Sequence, residues 1–169
     1  VARRYDTLVA IRRWINVTCR TRSPPATGPV WGFWVMLIEW DASFETGDQK
    51  NDDEHKYIIC RLNEIWAQIG HDNDHDDMEK WILEYCNYYI RHFHSEEDLM
   101  VRAKYPDYQV HKLRHLAIIE CFDSILIRLD VVKSILRDEV RGLVLTISDH
   151  MKNEDRRLAR FVREHPPTR

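Results

Sequence analysis

From His55 onward the chain sets an inward-facing residue at every third or fourth position: His55, Ile58, Leu62, Ile65 and Ile69, stopping at Gly70. Such spacing returns to the same side of a helix once per turn, so it marks the buried stripe of an amphipathic helix. The alternation comes back three more times. A second stripe runs Met78, Trp81 or Ile82, Tyr85, Tyr89, His92, Glu96 and Leu99. A third runs Tyr108, His111, His115, Ile118, Phe122, Ile125 and Leu129. The fourth runs Leu136, Val140, Leu143, Ile147 and His150, then drifts through Asp155, Leu158 and Val162. Gly70 suits a C-cap, "HDNDHDD" (71–77) reads as a polar connection, and Pro106 suits a first helical turn. Four such stripes on short links predict an all-α, antiparallel up-down-up-down four-helix bundle with an N-terminal arm. Five glycines in 169 residues, and no "NG" or "DG" between alternating apolar runs, argue against an all-β fold.

Charge divides the chain in two. Residues 1–35 hold six arginines against Asp6 alone, a net of +5, which leaves −8 for residues 36–169 of a chain at −3 overall. The expected organisation is a basic, disordered extension over 1–35 and a bundle domain over 36–169, whose Met36 opens "MLIEWDASF" as a natural start would. An acidic domain is a poor nucleic-acid binder. The longest apolar run, "VWGFWVMLI" (30–38), falls short of the roughly 20 residues that cross a bilayer, so it is expected to pack as the arm. Cys19, Cys60, Cys86 and Cys121 form no CxxC pair and read as reduced core thiols, which points to the cytoplasm.

The stripes bury the wrong chemistry for an ordinary core. His55, His92, Glu96, His111, His115 and His150 lie on them, and Asp155 lies beside one. A single histidine in such a place is usually a hydrogen-bonded core residue. Seven convergent groups on four helices are better explained by a metal centre that partners all of them. His92 and Glu96 are four apart, as are His111 and His115, so each pair shares a helix face. His150 and Asp155 are five apart, about 140° around a 3.6-residue wheel, and are expected to reach in different directions. Two carboxylates among five histidines suggest two ions bridged by the carboxylates, but spacing does not choose the element. Other candidates read as surface or packing. His71 and His75 lie in the acidic loop, His94 points away from the ligand face, His165 sits in the tail, and Glu97 faces outward or steadies a ligand. Cys60, Cys86, Cys121, Trp66 and Trp81 read as packing residues.

The constellation resembles the hemerythrin family of oxygen-binding non-haem di-iron proteins, in particular its bacterial single-domain type. The matching text is "DDEHKYIICRLNEI" (52–65), "YYIRHFHSEEDLM" (88–100), "YPDYQVHKLRH" (105–115) and "HMKNED" (150–155), within residues 36–163. By that resemblance His111, His115 and His150 would hold one iron, and His55 and His92 the other. Glu96 and Asp155 would bridge them, with an oxo or hydroxo group as third bridge. Two six-coordinate irons so dressed keep a single open position, on the iron of His55 and His92, as the dioxygen site. Phe93, Ile147, Thr146 and Met151 would line it. The family usually has tryptophan where Thr146 stands, so a looser wall and faster autoxidation are expected. The approach to the first helix, "ETGDQKNDDEH", is polar where relatives carry an apolar residue. The resemblance implies a non-enzymatic carrier, store or sensor of dioxygen with no nucleic-acid or membrane partner; a protein partner is not legible. Rival readings are a di-iron enzyme acting on peroxide or nitric oxide, and an iron-buffering protein.

Overall fold

The computed structural model describes residues 37–69, 75–132 and 137–166. The expectations for residues 1–35, Gly70, His71 and Leu136 lie outside the described residues. The chain folds as helices: a short turn over Ala42–Phe44, then α1 (Gln49–Gln68), α2 (His75–Ala103), α3 (Tyr108–Val132) and α4 (Arg137–His150). A wider π-wound turn, Met151–Asp155, carries α4 into α5 (Arg156–Glu164). No strand occurs among the described residues. Successive helices pack on one another and α4 closes back on α1, so the core sits inside a ring of four. Contacts pair rising numbers in one helix with falling numbers in the next. Glu54 meets His92 where Ile58 meets Tyr85; His115 meets Phe93 where Phe122 meets Tyr85; Glu139 meets Arg128 where His150 meets His115.

The four stripes are the core. His55, Ile58, Leu62, Ile65 and Ile69 are all buried, as are His111, His115, Ile118, Phe122, Ile125 and Leu129. The second stripe settles on Ile82, because Trp81 stands 38% exposed, and it ends on Met100 rather than Leu99. Cys86 is buried, but Cys60 is exposed with its thiol facing Glu64, so it is not the core residue expected. The acidic connection is shorter than expected too, since α2 already begins at His75.

Two ends are built differently from the sequence reading. α2 stops at Lys104, which takes a left-handed φ of 54° while Tyr105 N–H donates to Met100 O at 2.9 Å. That is the geometry usually given to glycine. Pro106 is therefore not in the first turn of α3, which begins at Tyr108 with the Asp107 carbonyl accepting from His111 N at 3.0 Å. The polar approach to α1 is tightly held. Asp48 caps the helix by accepting from Asn51 N. One oxygen of the buried Asp52 accepts from both the amide and the hydroxyl of Thr46 at 2.7 Å, and the other accepts from Gly47 N at 3.3 Å. Gly47 turns the chain at a φ of +81°. Hydrogen bonds to the buried Asp52 thus hold this polar approach in place.

Upstream, Asn63 anchors the segment before α1. Its amide oxygen accepts from Leu37 N at 2.8 Å and Ile38 N at 3.2 Å, and its nitrogen donates to Ile38 O at 2.7 Å. Asn63→Ala removes all three partners, and a stability loss of about 1–3 kcal/mol in denaturant titrations is expected. Faster hydrogen exchange should be confined to residues 37–40; an unchanged midpoint would contradict the anchoring role.

Candidate metal centre

Each helix delivers its polar side chains at one level of the bundle. α1 supplies His55, α2 supplies His92 and Glu96, α3 supplies His111 and His115, and the α4 end supplies His150 and Asp155. All seven are buried, between 0 and 4% exposed. The π-wound turn corrects the expectation for the last pair. An extra residue per turn brings position 155 round beneath position 150, and the His150 Nε2 to Asp155 Oδ1 distance is 3.0 Å.

The two carboxylates divide the histidines between them. Glu96 Oε1 lies 3.6 Å from His92 Nε2, while its Oε2 lies 3.3 Å from His115 Nε2 and 3.6 Å from His111 Nε2. Asp155 Oδ2 lies 3.2 Å from His55 Nε2, while its Oδ1 lies 3.2 Å from His111 Nε2 and 3.0 Å from that of His150. The outcome is two overlapping groups, Glu96–His111–His115–His150–Asp155 and His55–His92–Glu96–Asp155. Within each, one ligand atom per residue lies within 4.8 Å of all the others.

These contacts are close, yet most do not have hydrogen-bond geometry. The Nε2 atoms of His55, His111, His115 and His150, Glu96 Oε2 and both Asp155 oxygens are buried with no hydrogen-bond partner. At roughly 1–3 kcal/mol for each buried unsatisfied group, seven of them rival the ~5–15 kcal/mol that holds a whole domain folded. Such a cluster calls for cations, and a set of nitrogens and bridging-capable carboxylates fits metal ions.

Behind the cluster stand acids that the sequence reading missed or half saw. Glu54 Oε2 lies 2.8 Å from His92 Nδ1, and Glu97 Oε1 lies 3.2 Å from His115 Nδ1. Lys112 donates to Glu97 at 2.7 Å. Buried Glu154 lies 3.9 Å from His150 Nδ1 and accepts from Arg157 at 3.1 Å. A carboxylate on Nδ1 fixes the tautomer that presents Nε2 inward and makes it more basic. All three acids adjoin a site residue in sequence, a signal that "EH", "EE" and "ED" already carried. Asn51 also reaches Glu96 Oε1 at 3.4 Å.

Of the residues expected around a small ligand, Phe93, Ile147 and Met151 are buried, and Phe93 stacks on His115 at 3.9 Å between ring centres. Thr146 is half-buried, and its hydroxyl donates to Gly142 O at 3.0 Å within its own helix. His94 and His165 are exposed, as read from their positions.

A ring of four helices around a buried histidine–carboxylate cluster able to hold metal ions defines a helical-bundle metal-binding protein. Residues 46–162 match the family model of the hemerythrin HHE cation-binding domain, and the chain belongs to the hemerythrin family. Bacteriohemerythrin of Pseudomonas aeruginosa is 30% identical over 120 residues, 70% of this chain and 76% of that protein. Bacteriohemerythrin of Stenotrophomonas maltophilia is 28% identical over 133 residues, 78% of this chain and 85% of that one. Among solved structures, wild-type hemerythrin superposes with a TM-score of 0.65 at 24% identity, over 71% of this chain and 93% of its own. No described helix is long and apolar enough to cross a membrane.

Without metal, protons must serve as the cations. Burial disfavours charge on His111, but the adjacent Asp155 and Glu96 carboxylates outweigh it and raise the imidazole to about 9. His92 is likewise raised against burial, by Glu96 and Glu54. His115 is lowered, by burial first and then by the neighbouring His150 and His111, against the pull of Glu96. Burial favours the neutral acids, yet the histidines keep Glu96 and Asp155 below their usual range. Stability from the raised His111 is complete below 6.5 and lost as pH climbs to about 9. Stability from the lowered carboxylates is present above about 4.5 and lost below it. The lowered His115 subtracts some stability below 6.5, but the raised His92 and His111 outnumber it, so metal-free protein should melt highest between about 4.5 and 6.5, and lower on either side. Thermal melts from pH 4 to 9.5 test this; a melting temperature that rises from 6.5 to 9 would contradict the assignment.

Proposed function

We propose that this chain binds dioxygen reversibly at a carboxylate-bridged non-haem di-iron centre, as a carrier, store or sensor and not as an enzyme. The observation that carries the reading is the division of labour at the carboxylates. One oxygen of Glu96 and one of Asp155 face His92 and His55, and the others face His111, His115 and His150. Two ions fit that arrangement, one held by three histidines and one by two, with both carboxylates shared. The histidine-rich donor set favours iron that cycles over iron that attacks organic substrates, which carboxylate-richer sites support. Bound iron would supply reversible electron donation, which no side chain here offers.

The remaining residues have work of their own. Glu54 and Glu97 hold His92 and His115 in register through Nδ1, so that their Nε2 atoms face inward, where metal would displace the proton that the raised His92 carries in the bare protein. Phe93, Ile147 and Met151 are buried and apolar, as residues that keep water from the ligand position would be, with half-buried Thr146 at the margin. The family membership supports dioxygen as the ligand, and the free Cys60, Cys86 and Cys121 support the cytoplasm as the place of action. The bundle domain is taken to begin at Met36, with residues 1–35 as a separate basic extension.

Full-length protein purified under reducing, anaerobic conditions and given ferrous iron should take up two irons per chain. Its optical spectrum should then change on admission of oxygen and revert on removal. Irreversible oxidation coupled to consumption of peroxide or nitric oxide would favour a di-iron enzyme. Many irons per chain would favour a buffering protein.

A further inference from the structure

Tyr85 and Tyr89 sit one turn apart on α2, both buried, and the fold treats their hydroxyls differently. Tyr85 donates to the Ile58 carbonyl at 2.9 Å. The Tyr89 hydroxyl, on a side chain 1% exposed, has no hydrogen-bond partner. Phenylalanine would fill the same space without stranding a polar group, so the hydroxyl costs stability as the structure stands.

Its surroundings point to the metal cluster. The Tyr89 ring meets His92 edge-on at 6.1 Å and Phe93 at 4.9 Å, with Tyr85 and Phe122 completing its apolar setting. Of the five site histidines, His92 is the one packed against this ring among the described residues. A protonated phenol is a hydrogen-bond donor. His92 belongs to the end of the cluster that has two histidines instead of three, and Phe93 stands between the ends, 5.9 Å from His92 and stacked on His115.

We propose that the Tyr89 hydroxyl is the hydrogen-bond donor to the small exogenous ligand that binds at the His55–His92 end of the centre. The ligand class is a diatomic or triatomic molecule whose terminal atom gathers negative charge on binding, such as dioxygen once it has accepted electrons, or azide. In an otherwise apolar wall a single donor favours the charged form of the ligand and holds one orientation of it. The proposal rests on the di-iron reading above.

The test uses the full-length, iron-loaded, oxidised protein and its Tyr89→Phe variant, titrated with azide. The variant should bind azide at least about tenfold more weakly, the loss expected for a hydrogen bond to a charged group. The infrared stretch of bound azide should shift between H2O and D2O in the parent protein and not in the variant, a signature that mere packing would not produce. Metal-free Tyr89→Phe should melt no lower than the metal-free parent, which shows that the variant still folds. Equal azide affinity together with no isotope shift in either protein overturns the proposal while sparing the di-iron centre. So does a visible phenolate-to-iron band present in the parent and absent in the variant, since the hydroxyl would then be a metal ligand. Failure of the iron-loaded parent to bind azide at all overturns the di-iron reading, and this proposal with it.

Discussion

Two carboxylates enclosed by imidazoles, with almost no solvent and few hydrogen bonds, are the constraint to which the rest of the bundle answers. Glu96 and Asp155 keep their charges at 4% and 1% exposure. Burial of one unpaired carboxylate is costly enough to unfold a small domain or neutralise the acid. The charges persist because five ring nitrogens converge on them, and the nitrogens converge because four helices carry them at one level. Cations at the centre complete the balance, as protons in the bare protein and as metal ions in the loaded one.

Local structure bends to meet that requirement. A regular α-helix would point His150 and Asp155 apart, and the π-wound turn at Met151–Asp155 brings both to one centre. Such turns weaken backbone hydrogen bonding and persist where a site demands them. Glu54, Glu97 and Glu154 occupy the layer behind the histidines and are themselves held by Lys50, Lys112 and Arg157. The charges thus alternate from centre to surface, which orients each imidazole without placing another bare charge in the core.

Much of this was legible in the sequence because two periodicities coincide. Steps of three and four fixed the helices, and polar groups on those stripes identified the cluster. The choice between Trp81 and Ile82, and the shift of the stripe's end from the expected Leu99 to Met100, depend on packing, which one helix's pattern does not contain. The left-handed Lys104 is not legible in the sequence because glycine is the residue associated with that cap, and Pro106 suggests a helix start ahead of the one at Tyr108. The π-wound turn was invisible to a wheel that assumes 3.6 residues per turn. Glu54 could be read beside His55 in the text, yet it serves His92 on another helix. By its position Tyr89 is one more core aromatic, since whether a buried hydroxyl finds a partner depends on the packing of the other helices.

The account's central claim is that the buried cluster is completed by two metal ions sharing Glu96 and Asp155. Calorimetric titration of the metal-free chain with ferrous iron under anaerobic conditions, alongside Asp155→Asn, tests it most directly. Two equivalents should bind to the parent with a marked rise in melting temperature, and the variant should lose the second equivalent with most of that rise. Saturation of the parent at one equivalent, or two equivalents bound with no change in melting temperature, would contradict it.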